Sequence, residues 1–378
     1  MKTILSKLAS IKYLLLLAFF VRLFFIYFQY SGDVGNHLVW GRGALEGTLG
    51  FYNKSFSGFN QPNYPPLTIL LFSFSAWLYQ LFQNLILFIN QAVPLFPSKI
   101  VPLMETLNMQ AAFLKLPAIL ADLGIGWVIY KLAPVKKTGT KLLLSSLYLF
   151  NPAIIYISTI WGQIESIPVF FILLSLYLIK RNYLYSHVFF TLAILSKQTA
   201  LWILPVFLVL WLKNKPLKVF FKGILLQVIV FILLYLPFTL SLTEPFKLYL
   251  ETLSGSSALV SDAAWNIWYF IYPPQTLDST LLLGLSIRLW SILLILSSVV
   301  FIVFNLLKKK ISLYPSLFWL SMVAFFLQTR VHERHLFPAL VFLLLINFKN
   351  KNYLYLSFTG LTLYHMFNLY QSLALPFI

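Results

Sequence analysis

The sequence predicts an all-α, polytopic membrane protein. Hydrophobic residues make up 60% of the 378 and the mean hydropathy is +0.84, more apolar surface than a soluble domain of this size uses. Several runs of about 18 or more residues carry few or no charges, the signature of spanning helices. The charges are also sorted. Basic stretches at 2–12, 131–141, 180–181, 213–222, 308–310 and 349–351 contain none of the ten acids. These runs are too long and too uniformly apolar for the alternating strands of a barrel.

The elements follow in order. The N-terminal basic stretch leads into an apolar run at 11–30 without a small-residue cleavage site, so a retained first helix with a cytoplasmic N-terminus is expected. Residues 31–108 form a first outer segment. Within it, 67–90 is apolar and long enough to cross, but a lone crossing would move every later lysine loop to the outer side. Pro94, Pro97 and Pro102 disfavour a second crossing at 91–107. The region 67–107 is therefore expected as interfacial or re-entrant helices on the outer face.

Further spans are read at 109–131, 142–160, 163–180, 183–197, 198–212, 223–241, 281–307, 312–329, 336–348 and 353–371, which gives about eleven crossings with the first. The runs 183–197, 198–212 and 336–348 are short for about 30 Å of hydrocarbon and are expected to be broken or packed inside the bundle. The remaining outer connections are 161–166, 242–280 and 330–335. No repeat or soluble domain interrupts the chain, so 1–378 reads as one integral-membrane domain in the cell membrane.

The net charge of +18 does not point to nucleic acid. Of the 28 cations, 18 lie in the six basic stretches, as the positive-inside rule requires, where they meet anionic headgroups. The absence of cysteine excludes disulfides, thiol catalysis and thiolate metal sites.

Five constellations fall on the acid-rich side. The first is Gly32-Asp33-Val34-Gly35-Asn36-His37, with Trp40, Arg42 and Glu46 following at near-helical spacing. A solvated loop charge is the ordinary alternative for a lone aspartate. Asn63-Tyr64-Pro65-Pro66 comes next as a stiff helix-entry turn. The second is Asn151-Pro152 followed by Trp161-Gly162-Gln163-Ile164-Glu165-Ser166, where polar groups between apolar spans are costly unless solvated or paired.

Ser196-Lys197-Gln198 is the third, with a lysine placed against the positive-inside trend. Lys115 and Asp122, seven apart on one helix face, are expected in a structural ion pair with each other or a neighbour. The fourth is Arg330-Val331-His332-Glu333-Arg334-His335. If helical, Arg330 and Arg334 share a face, as do His332 and His335, and cations at a helix start suit an anion. The last is Ser261-Asp262-Ala263-Ala264-Trp265-Asn266-Ile267-Trp268-Tyr269, either an interfacial aromatic belt or ring surfaces for a sugar or isoprenoid. Glu46, Glu105, Glu244, Glu251 and Asp278 read as ordinary outer-face charges.

The ordered set Asp33, Tyr64-Pro65-Pro66-Leu67, Asp122, Asn151-Pro152, Trp161 to Ser166, Lys197-Gln198, Asn266 with Trp268, and His332 to Pro338 resembles the GT-C glycosyltransferases. It is most similar to bacterial and archaeal relatives of PIG-V, the second mannosyltransferase of GPI-anchor assembly. The dolichyl-phosphate-glucose glucosyltransferases of N-glycan assembly resemble it more distantly. The resemblance implies a GT-C-like fold, a lipid-phosphate-linked sugar donor, an extracytoplasmic active site and a first-loop aspartate acting as base, which maps to Asp33. The glucosyltransferases carry a Val-His-Glu-Lys run where this chain has Val331-His332-Glu333-Arg334, which implies a donor-phosphate role there.

The expected activity is transfer of a hexose, mannose favoured, from a polyprenyl or dolichyl phosphate to a lipid- or glycan-linked acceptor. A leaving phosphate needs cations rather than a general acid, and the acceptor hydroxyl needs a base. One carboxylate and a basic cluster therefore suffice for an inverting reaction. Asp33 is the expected base. His37, Tyr64, Trp161, Gln163, Glu165, Lys197, Gln198, Asn266, Trp268, Arg330, His332, Glu333, Arg334 and His335 are the expected substrate-binding residues. The residues single out no cofactor; a divalent metal, Mg2+ or Mn2+, held by Glu165 and Gln163 with Asp33 is left open. The competing class is a secondary transporter or flippase of lipid-linked sugars, for which Lys115, Asp122 and Lys197 would line a pathway.

Overall fold

The computed structural model describes residues 10–239, 241–253 and 257–372. Lys2 and Lys7 of the first basic stretch fall outside them. Helix accounts for 73% of the chain, and the only strands among the described residues are the two-residue β1 (Leu281–Leu282) and β2 (Leu285–Ser286). The molecule is all-α, as its composition predicts.

α1 (Ile11–Phe25) leads into a turn, and the chain restarts at once as α2 (Asp33–Glu46). α3 (Pro66–Ala92) begins at the double proline, where a missing N–H costs nothing. It crosses α2 at Gly41, where a Cβ would lie 2.7 Å from the Phe72 carbonyl oxygen, so only glycine lets the two backbones meet. The short α4 (Ile100–Met104) then turns the chain into α5 (Leu107–Leu132), capped by Thr106.

α3 runs antiparallel to the first turns of α5. Thr68 donates to the Ser196 carbonyl at 2.5 Å, while further along Tyr79 donates to the Met104 carbonyl at 2.9 Å and packs on Phe113. The helix therefore travels toward the start of α5, away from the Lys131 end.

α6 (Thr138–Leu149) and α7 (Pro152–Ile155) form a bent pair. Asn151 makes the joint: its Oδ1 accepts from Ala153 and Ile154, and its Nδ2 donates to Thr362 at 2.7 Å. α7 widens into a π-helical turn at Tyr156–Trp161, which ends on Gly162 at φ +82°. A Cβ at Gly162 would lie 2.9 Å from Val34. α8 (Ser166–Leu178), α9 (Tyr183–Ser196), α10 (Leu204–Asn214) and α11 (Leu217–Tyr235) follow, with a 3-10 segment at Gln198–Ile203. Then come α12 (Glu244–Leu253), α13 (Ile267–Ile271), α14 (Ile287–Leu307), α15 (Leu313–Leu327), α16 (Phe337–Leu344) and α17 (Lys351–Tyr370).

Four helices are long and apolar enough to cross a membrane alone: α3, α5, Leu217–Phe238 and α14. The pair α6 with Pro152–Trp161, bent by 46°, brings the number to five. Most other apolar runs fold as shorter pieces because polar residues break them, at Gly162 to Glu165, Lys197 and Gln328.

The buried ionisable groups under the bundle are structural. Asp122 pairs with Arg22 at 3.2 Å and accepts from Tyr148 and Ser158. Of the two pairings expected for Lys115 and Asp122, with each other or with a neighbour, Asp122 takes the neighbour Arg22. Lys115 instead donates to the Ile26 carbonyl at 2.8 Å and to the Gln29 carbonyl, closing the end of α1. A buried ammonium with orphan helix carbonyls in reach satisfies both at once.

Candidate active site

Five separate chain breaks meet at one end of the bundle. The start of α2 brings Asp33 and His37. The turn before α3 brings Tyr64. The π-helical turn and the left-handed Gly162 throw Gln163 and Glu165 inward, and the Gln163 N–H returns to the Ile157 carbonyl at 2.9 Å. The break between α9 and the 3-10 segment supplies Lys197 and Gln198. The connection from α15 to α16 supplies 330–335.

Arg334 is the hub. It is 7% exposed, and its guanidinium lies 3.2 Å from Asp33, 3.3 Å from Glu165 and 2.9 Å from Glu333. Its far face lies over the Trp161 ring. Lys197 pairs with the same Glu165 oxygen and sits over the Tyr64 ring. On Asp33, Oδ2 takes both Arg334 and the Gln163 amide, the latter at 2.9 Å. Oδ1 has no partner among the described residues. Gln163 Oε1 and Glu165 Oε2 are also buried without a partner.

Asp33, His37, Tyr64, Lys197, Gln198, Arg330, His332, Arg334 and His335 line one cavity of about 520 Å3. Gln163 and Glu165 stand behind it, touching Asp33, Lys197 and Arg334. Trp161 and Glu333 are a further layer back, as supports of Arg334. Asn266 and Trp268 do not reach the cavity. They fasten α13 to the end of α15, through the Gln328 carbonyl at 2.9 Å and the Leu327 carbonyl at 2.8 Å.

The 330–335 segment is not a helix start at Arg330. Arg330 has φ +63°, and helical turns begin only at Glu333. A left-handed non-glycine residue costs about 1–2 kcal/mol, and the side chain is held by Asp278 at 2.6 and 3.1 Å. Asp278, expected as an ordinary surface charge, is 2% exposed and anchors this turn.

Asn60, Thr199, Trp202 and Ser257 also line the cavity and were missed by sequence reading, while Asn36 was named beside Asp33 but given no role. Thr199 lies two residues past Lys197 and was legible by that nearness; Trp202, five past it, was not. Asn60 and Ser257 carried no such signal. Asp262, 3.5 Å from His332, was seen but given no role.

The electrostatics separate the groups clearly. Burial pulls Asp33 upward, yet Arg334 and the Gln163 amide hold it below the usual carboxylate range. Burial keeps His37 neutral, with its pKa lowered to about 3. His332 and His335 lie well below the usual range, through burial and the nearby Arg334 and Lys197. His335 Nδ1 accepts from the His332 N–H at 3.4 Å, which leaves Nε2 as its protonated nitrogen. Burial raises Glu333 and Asp262.

The donor set does not fit a metal shared by Asp33, Gln163 and Glu165. Arg334 already occupies the space between the two carboxylates, and Lys197 stands beside it, so a divalent ion there would face two fixed cations. No group of three His, Cys, Asp or Glu residues suited to a metal occurs among the described residues.

Comparison with models of known protein families and with curated proteins gives no match for this chain.

Proposed function

We propose that the protein is an integral-membrane glycosyltransferase of the GT-C kind that moves a hexose, mannose favoured, from a polyprenyl-phosphate donor to a lipid- or glycan-linked acceptor. One observation carries the reading: the cavity is shaped for an amphiphile. Asp33, Asn36, Lys197, Arg330, His332 and Arg334 line one part, and Leu201, Trp202, Pro205, Ile295, Leu296 and Val299 the other. The apolar part reaches Leu296, from which the exposed Val300 and Phe301 continue along α14. A sugar phosphate fits the first part and an isoprenoid chain the second.

Charge narrows the ligand. Lys197, Arg330 and Arg334 face four carboxylates, Asp33, Glu165, Glu333 and Asp278. With four carboxylates to three cations, such a site opposes every added negative charge. A phosphodiester, with one, is opposed less than a nucleotide diphosphate sugar.

In the reaction, the acceptor hydroxyl oxygen attacks the anomeric carbon while the bond from that carbon to the phosphate oxygen breaks. The hydroxyl proton passes to Asp33 Oδ1, the oxygen without a partner. The phosphate leaves with the bond electrons toward Lys197, Arg330, Arg334 and the Nε2–H of His335. A weakly basic Asp33 is adequate because the hydroxyl becomes acidic as its bond to carbon forms. Attack from the face opposite the phosphate inverts the centre.

The site end is assigned to the extracytoplasmic face. The lysine stretches terminate the opposite ends of the helices, and α3 runs away from them. The eleven-crossing arrangement follows if the short helices cross as packed members of the bundle.

The test uses purified protein in nanodiscs with polyprenyl-phosphate mannose, glucose or arabinose and candidate acceptors, followed by mass analysis of the released lipid phosphate. Transfer is expected with wild type and not with Asp33→Asn. Full activity in a folded Asp33→Asn protein removes the base assignment. Substrate movement across sealed vesicles without donor consumption would favour the transporter class.

A further inference from the structure

α2 carries a second polar surface on the side away from Asp33. Arg42 projects there, well round the helix from His37, toward α3 and the start of α5. A shallow cleft of about 440 Å3 is lined by Arg42, Tyr79, Gln80, Gln83, Glu105 and Gln110, with no aliphatic side chain among them. Its floor continues, past the shared Arg42, Tyr79 and Gln110, into a chamber of about 10 Å3 in which Ser75 is set among Leu38, Phe72, Ala76 and Leu114. Ser75 is 2% exposed, and its hydroxyl is buried without a partner.

The groups are already oriented. Arg42 donates to Gln110 Oε1, the Gln110 side-chain amide donates to the Glu105 backbone carbonyl at 3.3 Å, and Tyr79 is fixed on the Met104 carbonyl. Gln80 and Gln83 have no hydrogen-bond partner among the described residues. They are also out of character for α3, which exposes Leu81, Leu85 and Phe88 on a separate face. Asn84, Asn90 and Gln91 continue the amide sector at helical spacing. An amphipathic helix of this kind lies with its apolar side in lipid and its amide side in water.

One guanidinium and one carboxylate offset each other here, so the cleft offers no net charge to an anion. Amides present a donor and an acceptor in one plane, which matches the vicinal hydroxyls of a sugar. The chamber at Ser75 is about one water in size, room for a single hydroxyl.

We infer that the cleft formed by Arg42, Tyr79, Gln80, Gln83, Glu105 and Gln110 binds a neutral hexose unit of a glycan at the membrane surface, separately from the Asp33 cavity. Binding there requires no chemistry at Asp33, so the inference stands or falls apart from the transferase reading.

The experiment is titration of the full-length protein in nanodiscs with mannobiose and with maltose, followed by calorimetry and saturation-transfer NMR. Saturable binding of at least one disaccharide is expected, unchanged in Asp33→Asn. The double variant Gln80→Ala/Gln83→Ala should weaken it about tenfold, the size expected for two lost hydrogen bonds, without lowering Tm. Ser75→Val, which fills the chamber, should weaken it as well. Three results overturn the inference: neither sugar binds saturably, binding survives the double glutamine variant intact, or binding disappears in Asp33→Asn while the glutamine variant keeps it. Binding of inorganic phosphate at the cleft without binding of either sugar also overturns it.

Discussion

Arg334 holds three carboxylates at once, and its removal would leave Asp33, Glu165 and Glu333 crowded with only Lys197 to answer them. Breaking a buried charge arrangement by deleting one partner costs about 3–5 kcal/mol. Arg334→Ala should therefore lose stability on that scale in a thermal or denaturant unfolding measurement. Arg334→Lys keeps the charge but cannot make the forked contacts, so it should fold and lose activity. The histidines make a second residue-scale prediction. His37, His332 and His335 are neutral in the folded protein because their pKa values are depressed, while unfolded chains protonate near 6.5. Below that pH the unfolded state binds more protons, so stability falls as pH drops. Tm should stay nearly flat, as far as these groups contribute, from pH 7 to 9 and fall from about pH 6.5 downward. His37→Phe, which preserves the stack on Phe72, should lessen the slope. At this scale the sequence named the ionisable groups well, because charged residues in an apolar chain are conspicuous. It could not show that Arg334 rather than Asp33 is the hub, since three of its partners lie between 1 and 301 positions away.

The elements are placed by close backbone approaches more than by long apolar faces. Gly41 lets α2 lie against α3, and Gly162 turns the π-helical segment back so that Gln163 reaches Asp33. Gly41→Ala should push the helices apart at a cost of about 1–3 kcal/mol, and Gly162→Ala adds left-handed strain to its clash with Val34. In a transfer assay, Gly162→Ala should reduce turnover more than Gly139→Ala, a position where a Cβ meets nothing within 4 Å. A similar loss in both would remove the positioning role. Helix existence was legible from the apolar runs. The breaks were less so: the face shared by Arg330 and Arg334 was conditional on a helix, and that condition is not met because Arg330 is left-handed and held by Asp278, a residue 52 positions earlier. Asn266 and Trp268 were misplaced for a related reason, because a cap and an anchor present the same residue types as a sugar site.

At the scale of the whole molecule, the lysine-rich stretches among the described residues and the acid-rich cavity fall at opposite ends of the helices that connect them. The absence of cysteine makes the resulting topology directly measurable. Single cysteines at Lys99, Lys137 and Lys310 can be probed with a membrane-impermeant maleimide on intact cells. Lys99→Cys should label from outside, and Lys137→Cys and Lys310→Cys only after permeabilisation. If Lys99→Cys behaves like Lys137→Cys, α3 crosses the membrane and the interfacial assignment is wrong. The overall all-α character was legible from composition. The number of crossings was not, because helices of 10–17 residues become spans or internal supports according to neighbours that hydropathy does not name.

The contacts of Arg334 also set an order of events during synthesis. Asp33 and Glu165 enter the membrane early, yet the cation that joins them arrives only in the last eighth of the chain. Until then the growing protein carries the acids of a site without its centre, with Lys197 alone to meet them. A nascent chain cannot assemble the Arg334 cluster before the segment after α15 has been made, and any product cut short ahead of it would lack the cation that joins Asp33 to Glu165.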